Sequence, residues 1–219
     1  MFLEWLECRG FPKASSMKNT LLQIFRKRHA CHLFQPDRPL PPEDLDFILE
    51  AGRLSPSSFG LEQWRFVVLT DPRHKRALQD ACFGQPQVGS ASAVVVILAR
   101  LAELDPDSAY VRRLMAREYP EGEALEGALK NYRGFHAATD IPAWSGAQCH
   151  IAAANMMTAA AGVGIDSCAV GGFVPAEVHR LLEIDPRQCL PVLILPLGYC
   201  AQPPGEKQRL PREEVVEYR

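Results

Sequence analysis

The residues with the clearest capacity for chemistry form a short run between a predicted helix and a predicted strand. Ser57 and Ser58 offer hydroxyl groups after Pro56, which has no backbone N–H and must end the preceding helix. Gly60 allows a tight turn or a flat contact with a ligand. Such a junction suits an anion or an acceptor-rich ring, although these residues alone favour an ordinary loop.

Basic residues mark two other parts of the chain. An amphipathic helix predicted over residues 18–29 ends in consecutive cations, which complement the negative end of the helix dipole. Solvent is a sufficient environment for most of them, but Arg28, next to His29, could instead hold a phosphate. Lys207 and Arg209 lie in a polar tail punctuated by prolines. We expect this tail to lie along a surface, its own or a partner's, because its composition cannot bury itself.

The apolar patterns between these motifs predict alternating helices and strands. Residues 92–99 form an uninterrupted apolar run, which predicts a strand buried on both faces. Residues 190–197 predict another buried strand, in which Pro191 and Pro196 should restrict pairing to one portion or to a sheet edge. Residues 101–140 are charged and helical in composition, which indicates a helical excursion or lid. The other predicted elements are helices from 42 to about 56, 72 to 81, 144 to 164 and 175 to 182, and strands over 64–69 and 168–170.

Composition and charge are those of an ordinary globular protein. Hydrophobic residues make up 47% of the 219 residues, charged residues make up 23%, and the formal net charge is -2. This charge provides no basic surface for nucleic acid or for an anionic membrane, so neither is an expected partner. The longest apolar run, 151–165, is shorter than a bilayer span requires, so we interpret it as a core helix.

The seven cysteines are scattered along the sequence and include no CxxC pair. This pattern argues against a disulfide framework and against a structural zinc site. We therefore expect buried, reduced thiols in a cytoplasmic protein. We also expect residues 1–16 to be an N-terminal extension, because a second methionine, Met17, stands where a helix could begin. Residues 17–219 should then form a single domain.

Four features, taken together and in this order, resemble the FMN-dependent nitroreductase family: Arg28-His29, the Ser57-Ser58 junction, the Gly171-Gly172 pair and Lys207-x-Arg209. The likeness covers nearly the whole chain and is strongest to oxygen-insensitive NAD(P)H nitroreductases, including the subgroup that activates nitroimidazole prodrugs. It implies an α+β fold in which helices surround a mostly antiparallel central sheet. It also implies a homodimer with shared FMN sites, a long core helix at the interface and a C-terminal arm that reaches the partner.

The resemblance also assigns roles to individual residues. The end of the first helix and the C-terminal basic pair would bind the flavin phosphate, and the Pro-Ser-Ser segment would come from the other subunit. The double glycine would face flavin N5 and O4 with its backbone N–H groups. Gln85, and less strongly Gln87, would meet the flavin ring. The implied cofactor-binding residues are Arg28, His29, Ala30, His32, Pro56, Ser57, Ser58, Gly60, Gln85, Gln87, Gly171, Gly172, Lys207 and Arg209.

Three of these positions depart from the family pattern. Ala30 stands where the family has a serine, and Gly60 stands where it often has an asparagine, so one hydroxyl contact and one amide contact are missing. His32 replaces a lysine that lies near the flavin pyrimidine edge. Because histidine titrates near neutrality whereas lysine stays charged, this replacement predicts a flavin potential that depends more steeply on pH than in lysine-bearing relatives.

The activity implied by the resemblance is NAD(P)H-dependent reduction of nitroaromatic, quinone or related small-molecule acceptors. NAD(P)H would pass a hydride to flavin N5 and leave before the acceptor takes two electrons, a ping-pong cycle that requires no catalytic side chain and no metal. Three alternatives stay open. The same scaffold could serve flavin, pteridine or enone reduction. The chain could instead be a low-turnover FMN carrier or sensor, or a flavin-free helical interaction module.

Overall fold

The computed structural model describes residues 14–219, so most of the predicted extension over 1–16 lies outside the described residues. The described part of the chain folds into a central sheet covered by helices. Short 3-10 helices lie at Ser58–Gly60 and Ala102–Leu104. The helices are α1 (Ala14–Lys27), α2 (Pro42–Arg53), α3 (Pro72–Ala81), α4 (Pro86–Ser90), α5 (Ala109–Met115), α6 (Glu123–Ala137), α7 (Ile141–Gly162), α8 (Pro175–Leu182) and α9 (Arg212–Val215), and the strands are β1 (Trp64–Leu69), β2 (Ala93–Arg100), β3 (Asp166–Ser167) and β4 (Cys189–Gly198).

The four strands form one antiparallel sheet in the order β1-β2-β4-β3. Successive residues of β2 face opposite layers of helices. Val94 and Val96 pack in one apolar cluster, and Val95 and Ile97 pack in the other. The absence of alternation in this part of the sequence is thereby explained, and the prediction of a strand buried on both faces is confirmed.

Helix α7 covers one face of the sheet together with α2. Gly52 of α2 permits this close approach, because a Cβ at that position would overlap the side chain of Met156. The helix begins three residues before the predicted start at 144, where the Asp140 side chain accepts a hydrogen bond from the backbone N–H of Ala143 (3.1 Å). No helix within residues 14–219 has both the length and the apolar character that a membrane crossing requires.

The buried strand predicted over 190–197 is β4, but its predicted restriction to partial or edge pairing was wrong, and so were the bounds of the strand predicted over 168–170. Strand β4 lies between β2 and β3 and pairs with β2 along its length, because Pro191 lies beside a bulge that relieves the ladder. The strand predicted over 168–170 is instead Asp166–Ser167. Beyond it, the Cys168 N–H donates to the Pro196 carbonyl (3.2 Å), but proline cannot return the second hydrogen bond. The regular ladder is interrupted there, and Val170 then forms an isolated bridge with Ile194.

The remaining element predictions are confirmed to within a few residues. Strand β1 and helices α3 and α8 have the predicted bounds, and the helix predicted over 18–29 is α1, Ala14–Lys27. The helical excursion over 101–140 contains α5 and α6. Its buried core includes Leu125, Leu129 and Tyr132, and the Tyr132 hydroxyl donates to the Leu104 carbonyl (2.7 Å). The excursion is therefore a packed wall with a core of its own.

The cysteine prediction is correct for part of the chain only. Cys82, Cys149, Cys168 and Cys189 are free and buried, as expected. Cys31 and Cys200, in contrast, form a disulfide with Cα atoms 5.7 Å apart. The pairing could not be predicted from local sequence, because the two cysteines are 169 residues apart. In the structure, the Gln35 N–H donates to the Tyr199 carbonyl (2.8 Å), which brings the two segments together. Cys8 lies outside the described residues.

Candidate functional site

The predicted site residues fall into three groups in the structure. The first group lines a cavity of about 680 Å³ where the end of α1 meets the C-terminal arm, residues 199–219. The second group lies at the turn after β3 and at the start of α4, and the third forms the turn after α2. The first group contains Arg28, His29, Ala30, His32, Lys207 and Arg209, the second contains Gln85, Gln87, Gly171 and Gly172, and the third contains Pro56, Ser57, Ser58 and Gly60.

The first group is assembled by a contact between the arm and the end of α1. The Lys207 Nζ donates hydrogen bonds to the carbonyl oxygens of Phe25 (2.7 Å) and Arg28. These carbonyls belong to the last turn and exit of the helix, where backbone acceptors lack intrahelical partners. The contact brings Lys207 and Arg209 to the same cavity as Arg28. We call these three side chains the cationic rim.

The cationic rim lacks the acidic partners that most other arginines have. Within residues 16–219, no carboxylate forms an ion pair with Arg28, Lys207 or Arg209. Partial burial, reinforced by the positive charges of Arg28 and Arg209, lowers the pKa of Lys207. Like charges that line one cavity repel one another, so an anion in the cavity would be stabilised by all three side chains.

His29 adds a buried polar atom to this cavity. Its Nδ1 lies 3.3 Å from the Lys27 carbonyl oxygen and 3.8 Å from Asp166 Oδ1. Its Nε2 is buried and has no hydrogen-bond partner in the described part of the chain. Buried polar groups are normally paired, so this nitrogen lacks a partner that the described part of the chain does not supply. Sequence analysis did not identify Asp166, which carries no recognisable motif.

The second group is connected by hydrogen bonds between side chains and backbone. Gln85 Nε2 donates to the carbonyls of Gly172 (2.8 Å) and Cys82 (2.9 Å), and Gln87 Nε2 donates to Gln85 Oε1 (2.9 Å). Both amide hydrogens of Gln85 are therefore used within the protein, and Gln85 positions the Gly172 backbone. Neither Gly171 nor Gly172 has a positive φ, and a Cβ on Gly171 would meet open space. A requirement for glycine at 171 would thus come from a ligand.

The first two groups lie along the same edge of the sheet. Ala30 pairs with Ser167 in a parallel bridge, and the Cys31 N–H donates to the Ser167 carbonyl (3.1 Å). Gly171 follows Ser167 by four residues, which span at most about 14 Å. A ligand with an anionic group at one end and a planar group at the other could therefore contact both groups.

The third group faces the helical excursion. Ser57 Oγ accepts a hydrogen bond from the Glu62 N–H (2.9 Å), and the Ser58 N–H donates to Gln148 Oε1 on α7 (3.1 Å). Phe59 adopts a left-handed conformation (φ 57°) that directs its ring toward Tyr132, with ring centroids 5.2 Å apart. Residues 56–60 do not line the cavity with the cationic rim.

Comparison with known proteins identifies the family of this chain. Residues 25–199 match the nitroreductase family. A Staphylococcus haemolyticus protein assigned as an NAD(P)H nitroreductase is 38% identical over 217 residues, which cover 93% of this chain and 99% of that protein. The chain belongs to the nitroreductase family. It is accordingly an oxidoreductase, and the resemblance to the FMN-dependent nitroreductase family is confirmed.

Solved structures of nitroreductases show the same fold. A nitroreductase-like protein of Streptococcus mutans has a TM-score of 0.81 at 23% identity and covers 92% of this chain and 98% of its own. A protein of Exiguobacterium sibiricum, assigned as a nitroreductase and solved in complex with FMN, has a TM-score of 0.78 at 20% identity, with coverage of 91% and 97%. The predicted α+β class with an antiparallel sheet is thus confirmed.

Phe83 is a further residue of the candidate site in this nitroreductase. Phe83 is 70% exposed and has a left-handed backbone (φ 57°), and its ring lies 4.0 Å from where a Cβ of Gly172 would be. The exposed ring therefore lies at the surface beside the glycine pair, where a bound ligand could contact it. Sequence analysis missed Phe83 because a single aromatic residue before a glycine carries no pattern.

Proposed function

We propose that this member of the nitroreductase family binds FMN and uses NAD(P)H to reduce nitroaromatic, quinone or related acceptors. The observation that carries the proposal is the cationic rim, since three cations that form no ion pair within residues 16–219 line a cavity of about 680 Å³. This volume lies within the usual range for ligand sites. The phosphate of FMN is a compact anion that two arginines and a lysine can bind with charge-assisted hydrogen bonds.

The other residues of the site fit the rest of the cofactor. The buried His29 Nε2 lies beside the rim and could bond a polar group of the ribityl chain. Gly171 and Gly172 present backbone without side chains, which suits contact with a flat ring. The chain from Ser167, which pairs with Ala30, to Gly171 spans at most about 14 Å, which suits a ligand that carries its anion and its ring at opposite ends. We assign the remaining predicted residues, including Ala30, His32 and Gln87, to the surroundings of the same cofactor.

The protein's part in the reaction is to bind, orient and shield. FMN, when bound, supplies two-electron transfer between NAD(P)H and the acceptor through flavin N5. The cationic rim fixes the phosphate end, and Gln85 holds the Gly172 backbone in place. Phe83 offers an exposed apolar surface beside the glycine pair, where an aromatic acceptor could stack and water would be excluded. No side chain needs to transfer a proton in this scheme.

A homodimer would complete the site. The outward side of α7 carries small and apolar residues such as Ala147, Ile151 and Ala154, and on α1 Leu22 and Phe25 are 50% and 51% exposed. Exposed apolar surface of this kind marks an interface. We propose that α7 packs against its copy in a cytoplasmic homodimer. The turn at residues 56–60 would then contact the partner's flavin, and the C-terminal arm would reach across the interface.

The experiment that tests this function uses the full chain. We expect purified protein to be yellow or to become so with FMN, to migrate as a dimer, and to bleach rapidly when NADPH is added without oxygen. Turnover with a nitroaromatic, a nitroimidazole, a quinone, an enone and free flavin then identifies the acceptor class. Bound FMN that does not bleach would favour a carrier, and a protein that remains colourless with excess FMN would contradict the proposal.

A further inference from the structure

The Cys31–Cys200 disulfide lies in the wall of the cavity that carries the cationic rim. Cys31 is fully buried between Ala30 and His32, and Cys200 is partly exposed and lines the cavity. The disulfide therefore joins the segment after α1, which we call the strap (residues 28–34), to the root of the C-terminal arm. Both segments carry side chains that the proposed function assigns to the flavin phosphate.

Apart from the disulfide, the arm is attached mainly at its root. Four hydrogen bonds lie there: from the Ala201 N–H to the Leu33 carbonyl (2.8 Å), from the Cys200 N–H to Asp166 Oδ2 (2.9 Å), from the Gln35 N–H to the Tyr199 carbonyl (2.8 Å) and from Gln35 Nε2 to the Cys200 carbonyl (2.8 Å). Beyond Ala201, the hydrogen bonds that connect the arm to the rest of the described chain all come from Lys207. The position of the rim lysine and of Arg209 thus depends on the root, and the disulfide is the root's covalent link to the strap.

We propose that Cys31 and Cys200 form a redox-controlled clamp that sets the affinity of the phosphate site. In the oxidised state the clamp holds strap and arm together, so the cationic rim is preformed. Reduction by a dithiol protein, or by two small thiols, breaks the S–S bond and transfers two electrons and two protons to the two sulfurs, while the reductant becomes a disulfide. The arm is then held by hydrogen bonds alone, and the rim must be ordered again when an anion binds.

The exposure of Cys200 to the cavity and the proposed cytoplasmic location are both consistent with a redox-controlled disulfide. Attack is directed at Cys200, because its side of the disulfide faces the cavity whereas Cys31 is fully buried. In a reducing cytoplasm, disulfides are mostly transient and redox-sensing. The free cysteines differ, since burial raises the pKa of Cys82 to about 11 and that of Cys149 to about 12, which leaves them protonated and inert.

Coupling between the clamp and the ligand must be reciprocal. If reduction weakens FMN binding by a given factor, bound FMN must disfavour reduction by the same factor. A tenfold change in FMN affinity corresponds to a disulfide reduction potential that is about 30 mV more negative in the loaded protein. This part of the inference rests on the proposed function, because it requires that the ligand of the rim is FMN.

The first test compares FMN affinity in the two redox states. Alkylation followed by mass spectrometry of aerobically purified protein should find Cys31 and Cys200 linked. The FMN dissociation constant, measured by fluorescence quenching, should rise about tenfold or more on reduction, the loss expected when contacts to a charged group are weakened. Cys200→Ser should show the weaker affinity with or without reductant, and Cys189→Ala, which leaves the clamp intact, should respond as the wild type does.

The second test does not require FMN. Trypsin should cleave after Lys207 faster in the reduced protein and in Cys200→Ser than in the oxidised protein, because the root of the arm loses its covalent link to the strap. Unchanged cleavage together with unchanged FMN affinity would overturn the clamp and leave the proposed function standing. Redox-dependent cleavage in a protein that binds no FMN in either state would support the clamp and overturn the proposed function. Two free thiols in the aerobic protein would overturn the clamp directly.

Discussion

The helical excursion and the cationic rim are both rich in basic residues, yet they use them in opposite ways. In the excursion, Arg112 pairs with Glu126 (2.7 Å) and with Glu121 (3.1 Å), and Arg133 pairs with Asp107 (2.7 Å). In the rim, Arg28 and its two neighbours have no acidic partner among residues 16–219.

This difference distinguishes charges that are paired within the protein from charges that only a bound anion would neutralise. An exposed ion pair such as Arg133–Asp107 contributes about 0–1 kcal/mol to stability, and its loss leaves no buried charge behind. The rim instead concentrates like charge, which opposes folding until an anion enters. Unpaired cations that converge are therefore a stronger indication of function here than the number of basic residues.

The largest expected effect comes from removing one rim charge. Arg28→Gln should raise the FMN dissociation constant about 10- to 100-fold, because a hydrogen bond to a charged group contributes about 1.5–3 kcal/mol. Its matched control is Arg133→Gln, which should leave the dissociation constant unchanged. Fluorescence titration of both variants measures the contrast.

Thermal unfolding without FMN sharpens the same comparison. The melting temperature of Arg28→Gln should not fall, since the substitution relieves repulsion, whereas that of Arg133→Gln should fall slightly or stay the same. Equal losses of FMN affinity in the two variants would show that the rim has no special role.

A substitution in the core of the excursion should act on stability instead of binding. Tyr132→Phe leaves the buried Leu104 carbonyl without its donor, so the free energy of unfolding should fall by about 1–3 kcal/mol. Urea denaturation measures this change. The FMN dissociation constant should stay close to that of the wild type, and a large increase would mean that the excursion also supports the phosphate site.

Alkaline pH should weaken the rim before it affects the ion pairs of the excursion. The pKa of Lys207 is lowered by burial and by its cationic neighbours, so this side chain loses its charge at a lower pH than an ordinary lysine. Because anion binding requires the charged form, FMN affinity should fall as the pH rises toward the ordinary lysine pKa of about 10.4. Lys207→Arg, which stays charged, should flatten this dependence, and an identical pH profile in the variant would contradict the assignment.

The smallest effect is expected at an exposed aspartate–arginine pair, Asp71 and Arg73, at the start of α3. Hydrogen bonds from the Arg73 side chain and backbone lower the pKa of Asp71 to about 2. A depressed carboxyl pKa stabilises the folded state above the unfolded value of about 3.9, and this contribution is lost as pH falls toward 2. In Asp71→Asn, the melting temperature should therefore fall less steeply between about pH 4 and pH 2 than in the wild type. Equal slopes would show that the pair contributes nothing.

The sequence predicted the parts of the fold that depend on local signals. The apolar run of β2 and the proline at the start of α3 determine their elements without help from distant residues. The predictions failed where distant pairing decides the outcome. Pro191 is tolerated in a central strand because β4 itself bulges at Val192, next to the proline, and the bond between Cys31 and Cys200 requires two segments that are 169 residues apart.

The site was predictable in composition but less so in arrangement. Arg28, Lys207 and Arg209 were identified through their likeness to a family, and the structure places them around one cavity. Nothing local indicates that Gln85 is saturated by backbone carbonyls, or that Phe83 lies exposed beside the second glycine. Such features depend on how loops meet, which periodicity does not encode.

The position of Phe59 has a consequence for evolution. Its ring packs among Tyr132, Phe135 and Trp144, at centroid distances of 5.0–6.3 Å, within the wall formed by the excursion. In the proposed dimer, the turn that carries Phe59 serves the flavin of the neighbouring subunit. A mutation that reshapes this wall to admit a new acceptor would therefore also shift a cofactor contact across the interface, so substrate range and flavin chemistry would change together over generations.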